Sequence, residues 1–216
     1  MKRSFDNLAK AYIYLERLTF GHQLERSRHH GLKALKPNKG QRCLILGPGD
    51  GRFSSLALAR NPKFQIDSIE RSPKMQKQTN ARIRTLGESC INRYRHIAND
   101  VRQYSFPDSE YDIVVAPYFL DCFKSIDANR LLEKFALTLK PGGKLVYADF
   151  TIPQEIIAKW IATGIVKLLY LCFRLATDIQ TNRLPELIWP ESLKLISSET
   201  RLRGLVTSTI RKKDPD

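Results

Sequence analysis

The sequence predicts an α/β fold in which helices cover both faces of a doubly wound, mostly parallel β-sheet. Residues 43–46 form a short apolar run that leads into a glycine-rich turn and then into a helix-like segment. Residues 64–70 alternate between apolar and polar like a half-buried strand, residues 111–116 form a further apolar run, and amphipathic segments separate these strands along the chain. This alternation of strands and amphipathic segments indicates βαβ units, because parallel strands need crossover connections, which are usually helices.

Composition predicts one domain. With 216 residues, 42% of them hydrophobic, the chain is long enough to bury a single core. Its four cysteines are scattered without a Cys-x-x-Cys pair, which is typical of buried thiols in a reducing compartment and predicts no metal site. The first ten residues include several charged residues and no apolar stretch, so we expect no secretory signal and a cytoplasmic protein.

The net charge of +14 is the one unusual feature of the composition. A strongly basic chain is attracted to polyanions, such as nucleic acid, an anionic membrane surface or an acidic substrate. The alternative is a solvated basic surface without a dedicated partner. The sequence leaves both interpretations open.

The turn after residues 43–46 contains three alternating glycines, Gly47, Gly49 and Gly51. Glycine permits a sharp turn and a close approach of the backbone to a ligand, and the following helix directs its N-terminus at the same point. A dinucleotide fingerprint would need a glycine at Arg52, and the Gly-Lys-Ser/Thr of a P-loop is missing. The pattern therefore favours another nucleotide-like ligand, with a dinucleotide as an outside alternative.

The Gly-x-Gly-x-Gly spacing resembles motif I of the class I S-adenosylmethionine-dependent methyltransferases. Glu70 follows Gly51 by nineteen residues, and residues 70–75 are similar to the family's acid-x-Ser-x-x-Met stretch, in which Ser72 would cap a helix. Residues 141–143 resemble the family's Pro-Gly-Gly before its fifth strand. This similarity covers residues 40–150. It implies a Rossmann-like methyltransferase fold: a seven-stranded sheet with an antiparallel C-terminal strand.

The resemblance implies S-adenosyl-L-methionine as the cofactor and no metal. Glu70 would accept hydrogen bonds from the ribose hydroxyls, Asp100 from the adenine amine, and Val101 would pack on the ring. A solvated strand end at Glu70 and a turn-initiating role for Asp100 are the alternatives. The residues expected at the cofactor are Gly47, Pro48, Gly49, Asp50, Gly51, Glu70, Arg71, Met75, Asp100, Val101 and Ala116.

The chain departs from this family at Ile45, where an acid commonly stands two residues before the first glycine. The ammonium group of the cofactor would then need other partners, such as backbone carbonyls or Asp50. Another departure follows the fourth strand, where Ala-Pro-Tyr replaces the Asn/Asp-Pro-Pro-Tyr of enzymes that methylate amino groups of nucleic-acid bases or glutamine. This change argues against those substrates.

The loop at residues 117–123 is expected to carry the acceptor site, because loops at this edge of a doubly wound sheet hold the chemistry. We predict Asp121 as a general base or an acceptor-orienting residue, with Tyr118 and Tyr147 lining the pocket. The implied function is methyl transfer to a small-molecule or lipid-like acceptor. The alternatives are an RNA methyltransferase and a non-catalytic basic binding module.

The outer segments complete the prediction for one domain, residues 1–216. Residues 5–35 are expected to form helices with a break near Gly21, with His29 and His30 on a wet basic face. Candidates to reach the site from this segment are Tyr12, Tyr14 and His22. The predicted parts are a helical cap (1–38), a cofactor-binding core (40–150), a helical insert or lid (151–190) and a β-hairpin (191–212).

A long helix is predicted at residues 154–177, with a broad apolar face and charges every seven or eight residues. The favoured interpretation is a helix packed on the sheet with a basic outer stripe, which also acts as a lid. An interfacial amphipathic helix is the alternative, and with it a peripheral location at the membrane. The charges argue against a membrane-spanning helix.

Overall fold

The computed structural model describes residues 19–36, 40–177, 179 and 181–215. The strands are β1 (Arg42–Leu46), β2 (Gln65–Ile69), β3 (Tyr94–Ile97), β4 (Tyr111–Pro117), β5 (Leu139–Phe150), β6 (Leu193–Arg201) and β7 (Val206–Lys213). The α-helices in this part of the chain are α1 (Gln23–Gly31), α2 (Arg52–Arg60), α3 (Pro73–Arg84), α4 (Glu88–Ile91), α5 (Ser125–Thr138) and α6 (Ile156–Ala176).

The strands form one seven-stranded sheet in the order β3-β2-β1-β4-β5-β7-β6. Strands β1 to β5 pair in parallel, and β7 runs antiparallel to both of its neighbours. The predicted fold class, including the reversed final strand, is therefore confirmed. The strand order changes direction between β1 and β4, so the crevice for a ligand lies at the carboxyl ends of these two strands.

Strand β1 is buried on both faces, which explains its continuous apolar run. Leu44 and Leu46 belong to the core cluster that includes α5, and Cys43 and Ile45 belong to the cluster that includes α2. All four residues are fully buried. A strand with helices on both sides has no solvent face, so apolar residues occupy both alternating sets.

Several boundaries differ from the prediction. The sequence predicts a short third strand at residues 96–101 that ends in Asn-Asp, whereas β3 starts at Tyr94 and ends at Ile97. The Tyr94 hydroxyl lies 2.6 Å from the Ser68 hydroxyl, which ties the beginning of β3 to β2. The sequence predicts that the fifth strand starts at Lys144, after the Pro-Gly-Gly stretch. Strand β5 instead starts at Leu139, because this stretch remains part of the strand. The four-residue helix α4 is too short to show a helical period in the sequence.

Helix α1 follows a turn at Gly21, whose φ of +57° fits the predicted break. The prediction that His30 lies on a solvent-exposed face is wrong. Its side chain is 2% exposed, because α1 packs on the last two strands. Its ring nitrogens lie 2.9 Å from Ser208 Oγ and 2.8 Å from Ser197 Oγ. Burial lowers the pKa of His30. His29 is exposed as expected, and the predictions for Tyr12 and Tyr14 lie outside the described residues.

Candidate active site

A cavity of about 300 Å³ lies at the carboxyl edge of the sheet, where the strand order changes direction. Its volume lies at the lower end of the usual range for ligand pockets, about 300–1,000 Å³. Ten predicted site residues line it: Gly47, Pro48, Gly49, Asp50, Glu70, Arg71, Met75, Asp100, Val101 and Tyr118. The structure thus brings together segments that follow β1, β2, β3 and β4.

The glycines of the loop serve different purposes. Gly49 has a φ of +60°, and a Cβ built on it would meet no atom within 4 Å, so glycine keeps this wall of the cavity open. Gly51 has a φ of +78°, and a Cβ there would lie 2.9 Å from the Cα of Thr79. Gly51 therefore allows α3 to pack closely against the loop, and it does not itself line the cavity.

Helix α3 holds the glycine loop in place. Thr79 Oγ1 donates a hydrogen bond to the carbonyl of Gly49 (2.8 Å), and Arg82 Nε donates to the carbonyl of Asp50 (2.9 Å). The Asp50 carboxylate lies 2.9 Å from Arg52 Nε and 3.1 Å from a terminal guanidinium nitrogen of Arg82. A cofactor ammonium would compete with two guanidinium groups for Asp50, so this residue is a poor replacement for the acid missing at Ile45.

The end of β2 supplies the predicted ribose acid. The Glu70 carboxylate lines the cavity and accepts a hydrogen bond from the backbone N–H of Ser72 (2.7 Å). Ser72 Oγ accepts from the N–H of Met75 (3.2 Å), which confirms the predicted helix cap, and Pro73 starts α3. This cap fixes the turn that places Glu70 and Met75 at the same wall of the cavity.

Asp100 and Val101 lie in the loop after β3. Arg102 Nε donates to Asp100 Oδ1 (2.9 Å), and a guanidinium nitrogen of Arg71 lies 3.8 Å from Asp100 Oδ2. The hydrogen bond from Arg102 lowers the pKa of Asp100, although partial burial opposes it. Asp100 is therefore charged at neutral pH and accepts hydrogen bonds. Val101 is 5% exposed and presents an apolar surface beside it.

The opposite end of the cavity is formed around Tyr118. Its φ of +53° is uncommon for a bulky residue and turns the chain sharply at the end of β4. Its hydroxyl contacts the hydroxyl of Ser27 in α1, and the guanidinium of Arg28 lies 4.8 Å from its ring centre. Phe150 packs beside it at a centroid distance of 5.4 Å. Helix α1 thus covers this end of the cavity through Ser27 and Arg28.

Asp121 does not line this cavity. It is 6% exposed and lies in the 3-10 turn Leu120–Cys122, with its backbone N–H donating to Asp149 Oδ2 (3.1 Å). Burial raises the pKa of Asp121 to about 6 and raises that of Asp149 well above its usual value. The two carboxyl groups share a buried position next to Cys122, which does line the cavity.

Four further predicted residues also lie outside the cavity lining. Ala116 is fully buried in β4, and Gly51 lies behind the loop as described above. Tyr147 is 6% exposed and packs edge-on against Trp189, at 5.2 Å between ring centres. His22 is exposed and pairs with Glu25 at 3.5 Å, away from the lining residues. The roles assigned to these residues remain predictions.

Some lining residues carried no signal in the sequence. Arg28 comes from α1, and Ile179 and Thr181 come from the segment after α6. These residues belong to no motif, and only the folding of both outer segments over the sheet brings them to the cavity. Lining residues that the sequence did not single out also include Asn99, Arg102, Phe119, Phe123, Lys124 and Asp127.

The cavity residues fit an adenosine-type cofactor. The wall at Gly49 is open to a ligand, Glu70 and Asp100 supply acceptors, and Met75 and Val101 are apolar. The N-terminus of α2 follows the loop at Gly51, as in other nucleotide sites. These features suit the ribose, the base and the backbone-facing part of S-adenosylmethionine.

Comparisons with known proteins agree with this site. A family model described as a methyltransferase domain matches residues 44–145. The chain is 25% identical over 162 residues to the ubiquinone/menaquinone biosynthesis C-methyltransferase UbiE of Geotalea daltonii, an alignment that covers 74% of this chain and 66% of that protein. The chain spans between half and two thirds of the length of the first curated relatives that it matches.

Solved structures share the fold. An O-methyltransferase family protein from Burkholderia thailandensis superposes with a TM-score of 0.69 at 16% identity, covering 96% of this chain and 58% of that one. The N-methyltransferase NodS from Bradyrhizobium japonicum, in complex with S-adenosyl-L-homocysteine, superposes with a TM-score of 0.57 at 15% identity, covering 88% of each chain. The sequence matches and the fold agree with the glycine-loop cavity, and together they support membership in the class I S-adenosylmethionine-dependent methyltransferase superfamily.

Proposed function

We propose that the chain transfers a methyl group from S-adenosylmethionine to a small-molecule or lipid-like acceptor. The observation that carries this proposal is that one cavity is lined by the glycine loop, by Glu70 and by the aromatic residues Tyr118, Phe119 and Phe123. The wall formed by the glycine loop and Glu70 suits an adenosine, and the three aromatic side chains suit an apolar acceptor. The curated relatives named for quinone biosynthesis support a lipid-like acceptor. In this proposal the protein is cytoplasmic.

The cofactor, when bound, supplies an activated methyl group on a sulfonium. The protein then has to bind the cofactor and the acceptor, align them for the transfer, and exclude water. Gly49 lets the cofactor approach the backbone closely. Glu70 accepts hydrogen bonds from the ribose hydroxyls, and Asp100 accepts one from the adenine amine. Helix α1 and the segment at Ile179 cover the cavity and limit the entry of water.

Tyr118 is the best-placed residue to orient the acceptor. It lines the cavity, and its hydroxyl is fixed by Ser27. In this proposal Asp121 is a positioning residue. Its carboxyl group is buried with Asp149, and it lies in the same turn as Cys122. Burial and the two acids raise the pKa of the Cys122 thiol well above its usual value, so this thiol remains protonated and is not a nucleophile.

Calorimetry with a pair of glycine variants tests the cofactor site. Gly49 and Gly87 both have positive φ, and a Cβ at either position meets no atom within 4 Å, but only Gly49 lines the cavity. Leucine costs about 1–2 kcal/mol of backbone strain at Gly49 and about 1–3 kcal/mol at Gly87, whose φ of +92° and ψ of 170° lie in a region that other residues rarely adopt. We expect Gly49→Leu to abolish the micromolar binding of S-adenosylmethionine and Gly87→Leu to retain it. Equal affinities in both variants would refute the assignment of the loop.

An activity assay with a panel of acceptors tests which kind of acceptor is methylated. The assay follows S-adenosylhomocysteine release with a panel of phenols, hydroquinones and lipid-like amines and alcohols. Methylation of an apolar acceptor, reduced by truncation of Tyr118 to Ala with unchanged cofactor affinity, would support the proposal. Cofactor binding without turnover across the panel would instead favour a non-catalytic module that keeps the fold, an option consistent with Ile45 in place of the usual acid.

An RNA acceptor is the second candidate, and the exposed basic residues that line the cavity favour it. Arg71, Arg102 and Lys124 all combine solvent exposure with a position on the lining. RNA bound through such residues would show a steep loss of affinity with salt, about one power of salt concentration per phosphate contact. Absence of RNA binding at low salt would remove this candidate.

A further inference from the structure

Helix α6 exposes an apolar face that no described part of the chain covers. Its six large apolar side chains with the greatest exposure are Ile156 (73%), Ile157 (66%), Trp160 (77%), Ile161 (57%), Leu168 (61%) and Leu171 (57%). At 3.6 residues per turn, they span an arc of about 140°. Contiguous apolar surface of this kind marks an interaction site.

The opposite face of α6 is packed. Ala158, Ala162, Val166 and Tyr170 recur at every fourth residue and are buried, and the last three belong to the cluster that includes Phe150. Tyr170 also donates a hydrogen bond to the backbone carbonyl of Asp121 (2.8 Å). The helix is therefore held against the protein along its length, and the outward apolar face is fixed in one orientation.

Charge on α6 is of one sign. The helix contains Lys159, Lys167 and Arg174 and no acidic residue. All three are exposed, and at 3.6 residues per turn they lie along one border of the apolar face. Long basic side chains at such a border can reach an anionic surface while the apolar face inserts beside it. The net charge of +14 adds long-range attraction to the same kind of surface.

We propose that α6 docks the protein on an anionic phospholipid bilayer, lying in the plane of the interface with Trp160 and its apolar neighbours inserted. Residues Ile156–Arg174 are long and apolar enough to cross a membrane by length and composition, with a mean hydropathy of 1.7. A spanning helix would have to abandon its packed stripe and bury Lys159 and Lys167 in lipid. A second copy is disfavoured as the partner, because α6 contains no acidic residue that could pair with the basic side chains of another α6.

Docking would place the cavity at the membrane. Ile179 and Thr181, which follow α6 within a few residues, line the cavity, and Ile179 and Tyr118 pack against the same cluster as α6. An acceptor dissolved in the bilayer would thus have a short path to the site. Only this consequence rests on the proposed function, since the docking itself does not depend on methyl transfer.

Vesicle flotation of the full chain tests the docking. The probes are phosphatidylcholine vesicles with and without phosphatidylglycerol. We expect binding to the anionic vesicles, and a loss of about tenfold or more in the double variant Trp160→Gln/Leu168→Gln. The matched control is Ile188→Gln/Leu137→Gln, which removes side chains of similar exposure (74% and 58%) away from α6 and should bind normally.

Charge variants test the role of the basic border. Lys159→Glu/Lys167→Glu should abolish the preference for phosphatidylglycerol. Lys77→Glu/Arg84→Glu on α3 changes the net charge by the same amount at exposed positions elsewhere and should preserve most of that preference. An equal loss in both pairs would show that net charge alone, and not α6, governs binding, and would overturn the proposal.

Tryptophan fluorescence reports the depth of insertion. The chain has only two tryptophans: Trp160 is 77% exposed, and Trp189 is stacked on Arg211 at 3.9 Å. Anionic vesicles should shift the emission to the blue in wild type and in Trp189→Phe but not in Trp160→Phe. No shift, or a concentration-dependent dimer that Trp160→Gln dissolves in sedimentation, would overturn the proposal in favour of a protein partner.

Discussion

The buried carboxyl pair allows a prediction that separates stability from catalysis. Asp121 and Asp149 are 6% and 1% exposed, and the backbone N–H of Asp121 donates a hydrogen bond to Asp149 Oδ2 (3.1 Å). Each acid raises the cost of ionising the other, as expected for two carboxylates in one apolar site. We expect Asp121→Asn to stabilise the fold at neutral and alkaline pH, because asparagine keeps the shape without a charge.

The magnitude follows from the pKa of Asp121, which burial raises from 3.8 to about 6. The unfolded state then loses its proton first, so stability falls as pH rises from about 4 to about 6 and stays lower above that range. A rise of about two pKa units corresponds to about 3 kcal/mol. We therefore expect the free energy of unfolding at pH 8 to increase in Asp121→Asn by up to about 3 kcal/mol.

Urea denaturation at a series of pH values is the measurement. The variant should lose the part of the decline between about pH 4 and pH 6 that Asp121 causes and keep the part that the raised pKa of Asp149 causes, whereas Asp108→Asn, at an exposed position, should follow the wild type. Lower stability of Asp121→Asn at pH 8 would refute the reasoning. The same variant tests catalysis: a fall of about 10²-fold or more in kcat with unchanged cofactor affinity would support the general-base role predicted from the sequence.

Two further stability predictions concern packing beneath the site. Asp67→Asn should destabilise the fold by about 1–3 kcal/mol at pH 7, because Arg95 loses its carboxylate partner and Arg42 keeps only Glu110, while both guanidinium groups stay partly hydrated. Hydrogen bonds from Arg95, Tyr111 and Arg42 outweigh burial and lower the pKa of Asp67, so the loss should vanish as pH falls through that lowered value in urea titrations. Gly51→Ala should lower the melting temperature, through about 1–2 kcal/mol of strain plus its clash with Thr79.

Most of the cofactor half of the site could be predicted from the sequence, because its residues occupy positions fixed by regular structure. A strand buried on both faces shows as a continuous apolar run, and a turn with positive φ shows as glycine, as at Gly49. Glu70 follows the second strand at a spacing set by one helix and one strand. The serine cap at Ser72 marks the start of α3.

The acceptor half could not be predicted to the same extent. The turn Leu120–Cys122 has no period from which the direction of a side chain can be derived, so the sequence could not show that Asp121 is buried away from the cavity. Arg28 and Ile179 lie far apart along the chain and reach the site only through packing on the sheet. The burial of His30 depends in the same way on two serines of the last hairpin.

The cofactor half and the acceptor half of the site depend on different parts of the fold, and this affects specificity for the acceptor. The cofactor wall rests on strand ends and on α3, whereas the acceptor end is closed by α1 and by the segment after α6. Both covering segments pack against the cluster that contains Phe150 and Val206, and α6 is anchored in that cluster by Tyr170 and its buried neighbours. A change in how α6 meets its surroundings would therefore act on the acceptor end through Ile179 and Tyr118, and would leave the glycine loop unchanged. On this argument, membrane docking should alter KM for the acceptor while the Kd for the cofactor stays the same.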